Sequence, residues 1–402
     1  MTTRTILLGA GKIGDAIANL LAHSGDYRLT IADCEPARLA HLHALDLPGV
    51  TPVQADIADP VTLQRMVGHH QVVLSACPYY LTPAIAAAAK KAGAHYFDLT
   101  EDVQSTRAVR ELAEDARSAF VPQCGLAPGF ISIVANDLAT RFDTLRDVSM
   151  RVGALPIYPN NALKYNLTWS TDGLINEYCN PCEAIVDGSL RDVSALEEVE
   201  HFSLDGIAYE AFNTSGGLGS LCESLRGRVQ NLNYKTVRYP GHRDIVKMLV
   251  RDLQLGRPER RAVLKEVLEA AIPVTQQDVV LVFVSVCGMR GGRLEQESYA
   301  RKIYGARING QRLSAIQRTT AAGICAMVDL LLQGRLPQRG LVRQEQARLQ
   351  DFLGNRFGRH FAGHGAQPGE EDDDGNCNRT AGADRGRPGA VSRRRAVLQD
   401  AD

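Results

Sequence analysis

Short apolar runs alternate with helical patterns through about the first 125 residues of the chain. We predict that the runs "TILLGAG", "YRLTIAD", "TPVQADI", "QVVLSAC", "HYFDLTE" and "SAFVPQC" are strands. Between them lie segments such as "IGDAIANLLAHS" and "PAIAAAAKKAG", which repeat apolar residues at a helical period. Nearly continuous apolar strands that alternate with helices are typical of a parallel sheet covered on both faces. The pattern therefore predicts an α/β fold that begins with a Rossmann-type domain over residues 1–128.

The pattern changes after about residue 146. "DVSMRVGAL", "EAIVDGSL", "EHFSLDGIAYEAF" and "VQNLNYKTVRYPG" are predicted to be strands of a mixed or antiparallel sheet, one with an Asp-Gly turn. Two helices follow, "HRDIVKMLVRDL" and "RPERRAVLKEVLEAA", and then a hairpin around "RGG". We predict a second α+β domain over residues 129–313, for substrate binding and oligomerisation. A C-terminal helix over 314–333 is expected to pack back on the first domain.

Composition narrows the choice of partners. The 402-residue chain is 45% hydrophobic and 23% charged, with a formal net charge of −1, so no overall field attracts nucleic acid or a membrane. The N-terminus lacks a signal-peptide pattern, and nine scattered cysteines favour reduced thiols in the cytoplasm. "CNPC" (Cys179 and Cys182) has no second Cys or His pair, so we expect no metal site. Segment 363–402 is polar and contains blocks of like charges, so we expect it to be a disordered tail.

The stretch "GAGKIG" follows a predicted strand and precedes a predicted helix. Gly9, Gly11 and Gly14 provide a tight turn, a close approach for a pyrophosphate, and helix-on-strand packing. Asp33 ends the second strand nineteen residues after Gly14, where a carboxylate would accept the ribose hydroxyls. Such a carboxylate repels a 2′-phosphate, so NAD is predicted rather than NADP. Arg38 could soften that preference or simply be solvated.

Further cofactor contacts are expected at the carboxyl ends of the parallel strands, where ligands lie in such sheets. The "PQCGLAPGF" turn, with Gly125, Pro128 and Gly129, is predicted to close the nicotinamide side of the pocket. Asp56, after the third predicted strand, is either a further cofactor contact or simply the start of a turn. The remaining candidate cofactor contacts are Lys12, Ile13, Asp56, Ile57, Ala76, Cys77, Pro78 and Leu126.

Four motifs, "GLAPGF", "YNLTWSTDGLINEY", "NTSGGLGSLCESL" and "TVRYPGH", resemble the saccharopine dehydrogenase superfamily, and most closely its lysine 6-dehydrogenase branch. The resemblance runs from about Thr5 to Ala362. It implies NAD-dependent oxidative deamination of L-lysine at the ε-carbon, which yields 2-aminoadipate 6-semialdehyde, and a homodimer or higher homo-oligomer. It also implies that Cys124, Trp169 and Arg238 occupy substrate-pocket positions.

The chemistry of that reaction needs a base, because hydride can leave the ε-carbon only when the amine is neutral. With an amine pKa of about 10.4, reaching the neutral form at pH 7 costs roughly 4.6 kcal/mol. Glu101 and Asp102 in "DLTED" are the candidate bases, with helix capping as their alternative role. His242 is a further base candidate, a carboxylate anchor or a helix cap.

Substrate contacts are expected from both domains. Arg238 is predicted to bind the α-carboxylate, although a strand arginine is often simply solvated. Trp169 would line the aliphatic stem of the substrate, or else anchor the domain core. The weaker candidates for the pocket are Tyr79, Thr100, Tyr165 and Asn166.

Two other functions compete with lysine oxidation. A saccharopine-type reductase would need extra cationic groups for additional carboxylates, and would usually take NADP. A non-catalytic dinucleotide-binding sensor would need no acid–base groups over the nicotinamide, which the "DLTED" stretch supplies.

Overall fold

A computed structural model describes residues 2–362, and the predicted tail over 363–402 lies outside the described residues. The N-terminal part alternates strands with helices, as the apolar pattern predicted. Its elements in chain order are β1 (Thr3–Leu8), α1 (Lys12–Ala22), β2 (Tyr27–Asp33), α2 (Pro36–Leu45), β3 (Val50–Gln54), α3 (Pro60–Val67), β4 (Val72–Ser75), a 3₁₀ turn (Tyr79–Leu81), α4 (Thr82–Ala92), β5 (His95–Asp98), α5 (Val103–Ala113) and β6 (Ala119–Val121).

The remainder of the described chain is richer in antiparallel strands. Its elements are α6 (Phe130–Ala139), β7 (Thr144–Pro156), α7 (Thr171–Cys179), β8 (Cys182–Val186), β9 (Ser189–Val193), β10 (Glu200–Leu204), β11 (Ile207–Asn213), α8 (Leu221–Ser224), β12 (Val229–Arg238), α9 (His242–Lys247), a π turn (Met248–Asp252), a 3₁₀ turn (Pro258–Arg260), α10 (Arg261–Ala271), β13 (Asp278–Arg290), β14 (Arg293–Tyr304), β15 (Ala306–Ile308), β16 (Gln311–Leu313), α11 (Ala315–Leu332), β17 (Gly340–Leu341), a 3₁₀ turn (Gln344–Gln346), α12 (Leu349–Gly354) and a last 3₁₀ turn (Gly358–Phe361).

The first sheet has seven strands in the order β17-β6-β5-β4-β1-β2-β3, and every neighbouring pair is parallel. Ile6, Leu7 and Leu8 of β1 are completely buried because helices cover both faces of the sheet. The strand order reverses between β1 and β4, and dinucleotides bind at such a reversal. The predicted Rossmann-type sheet is therefore confirmed, with β17 as an additional strand.

The second sheet is mixed, as predicted, with a main path β10-β11-β12-β7-β13-β14. β12 pairs parallel with β7, whereas β13 pairs antiparallel with both β7 and β14. Two of the stretches predicted as strands, of which one was expected to contain an Asp-Gly turn, are both hairpins. Their turns, Asp187-Gly188 and Asp205-Gly206, have positive φ at both residues, as a type I′ turn requires.

Helix α11 packs against α1 and against β13 of the second sheet. It is long and apolar enough to cross a membrane, but 78% of it is buried inside the protein, as expected of a core helix. Its start is fixed by Asp278 of β13, whose two carboxylate oxygens accept hydrogen bonds from the N–H groups of Ala315 (2.6 Å) and Ile316 (3.0 Å). This bond ties the helix to the first residue of β13.

Candidate active site

The glycine-rich turn between β1 and α1 has the geometry of a phosphate cradle. Gly9 has φ +98° and a Cβ there would lie 2.7 Å from the carbonyl oxygen of Ala76, while a Cβ on Gly14 would lie 2.0 Å from that of Gly9. Gly11 differs, because a Cβ on it would meet nothing within 4 Å. No side chain caps the N-terminus of α1, which leaves the first-turn N–H groups, including those of Lys12 and Ile13, for an anion. The residues present therefore fit a dinucleotide pyrophosphate.

Asp33 lies at the end of β2 with its side chain held from three directions. Its oxygens accept hydrogen bonds from the N–H groups of Ala10 (2.7 Å) and Glu35 (2.8 Å), and one lies 3.3 Å from the Arg38 guanidinium. Burial alone would raise the pKa of Asp33, but these hydrogen bonds and Arg38 hold it below its ordinary value. Asp33 is thus a fixed, ionised acceptor at the end of β2, with the Arg38 guanidinium beside it.

The other predicted cofactor contacts surround this turn. Cys77 lies against Gly9, and burial followed by the charge of Asp33 raises the pKa of its thiol to about 12, so the thiol stays neutral. Asp56 is exposed and accepts a hydrogen bond from the N–H of Ala58 (2.9 Å), which is the turn that was its alternative role. The rest are Ala76, partly buried; Pro78, exposed; and Ile57 and Leu126, buried.

Asp98 connects the segments that follow β5 and β6, at the edge of the first sheet where its strands end. One oxygen accepts hydrogen bonds from the N–H groups of Thr100 (3.1 Å) and Gln123 (2.8 Å), and its backbone carbonyl accepts one from Cys124 (2.8 Å). The other oxygen has no hydrogen-bond partner, and burial raises the pKa of this carboxyl to about 6. Thr100 in turn accepts a hydrogen bond from the N–H of Asp102 (3.2 Å). Asp98 therefore fixes the loop that carries Glu101.

The Gly-Pro-Gly turn closes on itself and lies against α11. Gly129 has φ +132°, and a Cβ there would lie 2.1 Å from the carbonyl oxygen of Gly125. A Cβ on Gly323 of α11 would lie 2.7 Å from the carbonyl oxygen of Cys124. The glycines thus permit a close approach between this turn and the core helix.

The Cys124 side chain lies inside the protein rather than at an open surface. It is completely buried, its Sγ donates to the carbonyl of Val121 (3.0 Å), and Gln344 Nε2 lies 3.2 Å from the sulfur. Burial raises the pKa of its thiol well above the ordinary value. In this arrangement Cys124 anchors the segment after β17 and has no free polar atom for a substrate.

Glu101 lies next to the first turn of α7. A Cβ on Gly173 would lie 2.3 Å from the Trp169 ring and 2.8 Å from Glu101 Oε1, so Gly173 lies against both side chains. Burial, assisted by the charges of Asp102, Asp98 and Asp172, raises the pKa of Glu101 to about 7. A carboxyl with this pKa can accept a proton near neutral pH.

Asp102 has the role of a helix cap. Its side chain accepts a hydrogen bond from the N–H of Ser105 (2.7 Å) at the start of α5. Together with Tyr79 it also lines an open cavity of about 440 Å³, which Asn176 and Arg261 border on the other side. Asp102 therefore both caps the helix and faces solvent.

Arg238 ends β12 and is 2% exposed. Its Nε donates to the Tyr178 hydroxyl (3.1 Å), its Nη1 donates to the carbonyl of Val237 (2.9 Å), and its guanidinium carbon lies 4.8 Å from the centre of the Tyr165 ring. Glu177 Oε2 lies 3.9 Å from Nη2, beyond hydrogen-bond distance. The guanidinium is thus fixed in orientation while Nη2 remains available to an anion.

His242 supports that guanidinium through Tyr178. Its Nδ1 donates to the carbonyl of Leu163 (2.9 Å), so Nε2 must be the atom that accepts from the Tyr178 hydroxyl (2.9 Å). Burial, followed by the charge of Arg238, lowers the pKa of His242 to about 3. With both nitrogens engaged and a side chain enclosed by the protein, His242 is placed to orient Arg238 rather than to take a proton from a substrate.

The stretch that carries Tyr165 has three buried polar atoms without a hydrogen-bond partner: the Tyr165 hydroxyl, Asn166 Oδ1 and Thr168 Oγ1. Asn166 Nδ2 makes only a 3.5 Å contact with Asn160. Such groups cost free energy when left unpaired, so they are candidates for hydrogen bonds to ordered water or to a ligand. Thr168, next to Trp169 in "NLTWS", was not among the predicted site residues.

Glu177 was also missed from the sequence. It is 8% exposed, and burial, countered by Arg238 and reinforced by Glu101, raises the pKa of its carboxyl to about 8. The signal was present in "GLINEY", where an acid lies four residues after Gly173 and therefore on the same helical face.

Two matches identify the family. Residues 5–121 match the saccharopine dehydrogenase NADP binding domain, and residues 125–358 match the saccharopine dehydrogenase C-terminal domain. Saccharopine dehydrogenase (NADP(+), L-glutamate-forming) of Pyricularia oryzae is 24% identical over 305 residues, which are 71% of this chain and 67% of that protein. The Saccharomyces cerevisiae protein of the same name is 25% identical over 266 residues, 62% of this chain and 58% of that protein.

Among solved structures, the apo histidine-tagged saccharopine dehydrogenase (L-Glu forming) from Saccharomyces cerevisiae has the same fold, with a TM-score of 0.71 and 18% identity. The match covers 85% of this chain and 94% of that chain. The chain belongs to the saccharopine dehydrogenase family, and is a dinucleotide-binding oxidoreductase of that family.

Proposed function

We propose that the protein oxidatively deaminates L-lysine at its ε-amine. Lysine, the oxidised dinucleotide and water would give 2-aminoadipate 6-semialdehyde, ammonium, the reduced dinucleotide and a proton. The semialdehyde would then cyclise to piperideine-6-carboxylate with loss of water. One observation carries the proposal: Arg238, the one buried guanidinium among residues 2–362, lies beside the buried carboxyl of Glu177, and the partly buried carboxyl of Glu101 is close enough to Glu177 to raise its pKa. Lysine, with one carboxylate and two amines, has the complementary charges.

In this reaction Arg238 binds the α-carboxylate through Nη2, and the Trp169 ring borders the aliphatic stem. Glu101 takes the proton from the ε-ammonium, since its raised pKa of about 7 is closer to the pKa of the amine than that of an ordinary carboxyl. The glycine turn at Gly9 and the carboxylate of Asp33 would hold the dinucleotide, which would supply the hydride acceptor. Asp98 holds the Glu101 loop in place through its bonds to Thr100 and Gln123.

NAD is the proposed cofactor because Asp33 presents an ionised carboxylate to the ribose. Arg38, 3.3 Å from Asp33, is the group that could instead meet a 2′-phosphate. We expect kcat/KM for NAD to exceed that for NADP, and the gap to narrow in Asp33→Ala, where Arg38 loses its partner. An equal or higher kcat/KM for NADP in the unaltered protein would overturn the cofactor proposal.

A saccharopine-type reductase that uses NADP is the second candidate, favoured by the names of the Pyricularia and Saccharomyces relatives. That substrate carries more carboxylates than lysine. The other buried cation in residues 2–362, Lys235, is already bonded to Glu200 (2.7 Å). The shortage of free buried cations therefore favours lysine.

The deciding experiment incubates the purified protein with NAD or NADP and with lysine or saccharopine, and follows the absorbance of the reduced cofactor. Lysine labelled with nitrogen-15 only at the ε-position then identifies the nitrogen that leaves. We expect labelled ammonia. Unlabelled ammonia would mean that the substrate binds in the opposite direction, and turnover of saccharopine alone would select the second candidate.

A further inference from the structure

Glu177 and Arg238 are buried side by side, but no hydrogen bond joins their side chains. A charge-assisted hydrogen bond between a guanidinium and a carboxylate is about 2.7–2.9 Å long. Here Glu177 Oε2 lies 3.9 Å from Arg238 Nη2, and that oxygen has no hydrogen-bond partner at all although it is buried. A pair whose purpose was to stabilise the fold would be expected to make the bond, because an unpaired buried carboxylate is destabilising.

Other contacts fix the Arg238 guanidinium and the backbone of the helix that carries Glu177. Tyr178, Val237 and the Tyr165 ring hold the guanidinium. Glu177 belongs to α7, whose position is set by the Ser170 cap at its start (3.2 Å to the N–H of Gly173) and by the bond from the N–H of Ser215 to the carbonyl of Glu177 (3.0 Å). The Arg238 guanidinium, which can bind an anion, therefore lies beside the Glu177 carboxyl, which can bind a cation.

The same face of α7 leads from this pair to Glu101. Gly173, which contacts Glu101 and Trp169, precedes Glu177 by four residues, a rise of about 6 Å along the helix. A four-carbon side chain is of similar length. A molecule with its α-carbon groups at Arg238 and Glu177 would thus extend its side chain toward Glu101.

We propose that Glu177 and Arg238 together bind the zwitterionic end of an α-amino acid, Arg238 the carboxylate and Glu177 the α-ammonium group. The proposal rests on the proposed reaction for the direction of the side chain, but not for the recognition of the zwitterion. It makes Glu177 a specificity residue that selects α-amino acids over plain carboxylic acids and ω-amino acids.

Protonation gives this role a measurable consequence. The groups that act on the Glu177 carboxyl are Arg238, which lowers its pKa, and Glu101, which raises it; Tyr165, Tyr178 and Tyr234 are also close enough to interact with it. With a pKa of about 8, the carboxyl is mostly protonated at pH 7 in the free protein, and an incoming ammonium group favours its ionisation. Binding should therefore release a proton.

The test uses calorimetry on the full-length protein, alone and with NAD added. Norleucine has the zwitterion and the stem but no ε-amine, and hexanoate has the stem and carboxylate only. We expect norleucine to bind the unaltered protein at least about tenfold more tightly than hexanoate, as for a hydrogen bond to a charged group. Glu177→Gln should remove that preference and leave hexanoate unchanged. Titrations in buffers of different ionisation enthalpy should show proton release that disappears in Glu177→Gln.

Asp172→Asn is the matched control, because it removes a carboxylate of the same helix that is 56% exposed and pairs with Lys265. Its affinities for norleucine and hexanoate should equal those of the unaltered protein. Norleucine affinity that is unaffected by Glu177→Gln, or no preference for norleucine in the unaltered protein, would overturn the proposal. Since no turnover is needed, a Glu177-dependent preference without lysine oxidation would refute the proposed reaction alone. Lysine oxidation with no such preference would refute the zwitterion site alone.

Discussion

The two ends of the site are built in different ways. The cofactor end uses a continuous stretch, from Gly9 to Arg38, and its phosphate cradle is made of backbone. The amino-acid end collects side chains from separate segments, Glu101 after β5, Glu177 on α7 and Arg238 at the end of β12. One end is thus a local motif, and the other exists only when the second sheet folds against the first.

The carboxyls of the two ends also differ. Hydrogen bonds and Arg38 keep the pKa of Asp33 below its ordinary value, whereas burial raises that of Glu101 to about 7 and that of Glu177 to about 8. A permanently ionised carboxylate is a suitable acceptor for ribose hydroxyls. A carboxyl that titrates near neutral pH can exchange a proton with an amine, so the contrast separates binding from acid–base chemistry.

Glu101→Gln should give the largest effect of the single changes. Loss of a general base typically reduces the rate about 10²- to 10⁴-fold. In the unaltered protein the rate should rise as pH increases through about 7, where Glu101 ionises, and continue to rise toward the pKa of the amine. When kcat/KM for lysine is measured against pH, the rise near pH 7 should be absent in Glu101→Gln.

Asp102→Asn is its control, because asparagine keeps the helix cap. Activity close to that of the unaltered protein is expected. A loss as large as in Glu101→Gln would assign the base to Asp102 instead.

Arg238→Gln should come next. Removing one partner of a buried charge site costs about 2–5 kcal/mol, roughly 30-fold to several thousandfold in kcat/KM for lysine. The dissociation constant of NAD, measured by fluorescence titration, should not change. Lys235→Gln removes a buried cation of the same strand that is bonded to Glu200, and should change stability but not the KM for lysine. Weaker NAD binding in Arg238→Gln would contradict the separation of the two ends.

Gly11→Ala should affect the cofactor end alone and raise the dissociation constant for NAD, because the second glycine lets the pyrophosphate approach the backbone. A Cβ at Gly11 meets nothing within 4 Å, so Tm should stay within a degree or two, as in the control Gly354→Ala, where a Cβ is equally free. Gly14→Ala should instead lower Tm, because its Cβ would lie 2.0 Å from the carbonyl oxygen of Gly9. Unchanged NAD binding in Gly11→Ala would place the pyrophosphate elsewhere.

Truncation after Ala362 should have the smallest effect. The segment 363–402 has few apolar side chains to bury, so activity and Tm should stay nearly constant. Loss of soluble protein after truncation would show that the segment contributes to folding.

The apolar pattern was sufficient to predict six strands of the first sheet, because strands buried on both faces form continuous hydrophobic runs. It did not predict β17, which has two residues and pairs with β6 through contacts distant in sequence. It also missed α7, a nine-residue helix that contains Gly173 and packs against α10. Both depend on tertiary contacts more than on local preference.

At the cofactor end, spacing alone determined the candidate groups, since a glycine turn and an acid at the end of the next strand are fixed by local geometry. Gly9, Gly11, Gly14 and Asp33 all lie at the turn where they were expected. What only the tertiary structure decided is the state of the amino-acid end. His242 is neutral and enclosed, Glu177 faces Arg238 without a hydrogen bond, and Glu101 has a raised pKa. Each follows from burial between segments far apart in the chain, and burial cannot be read from the identity of a residue and its neighbours in sequence.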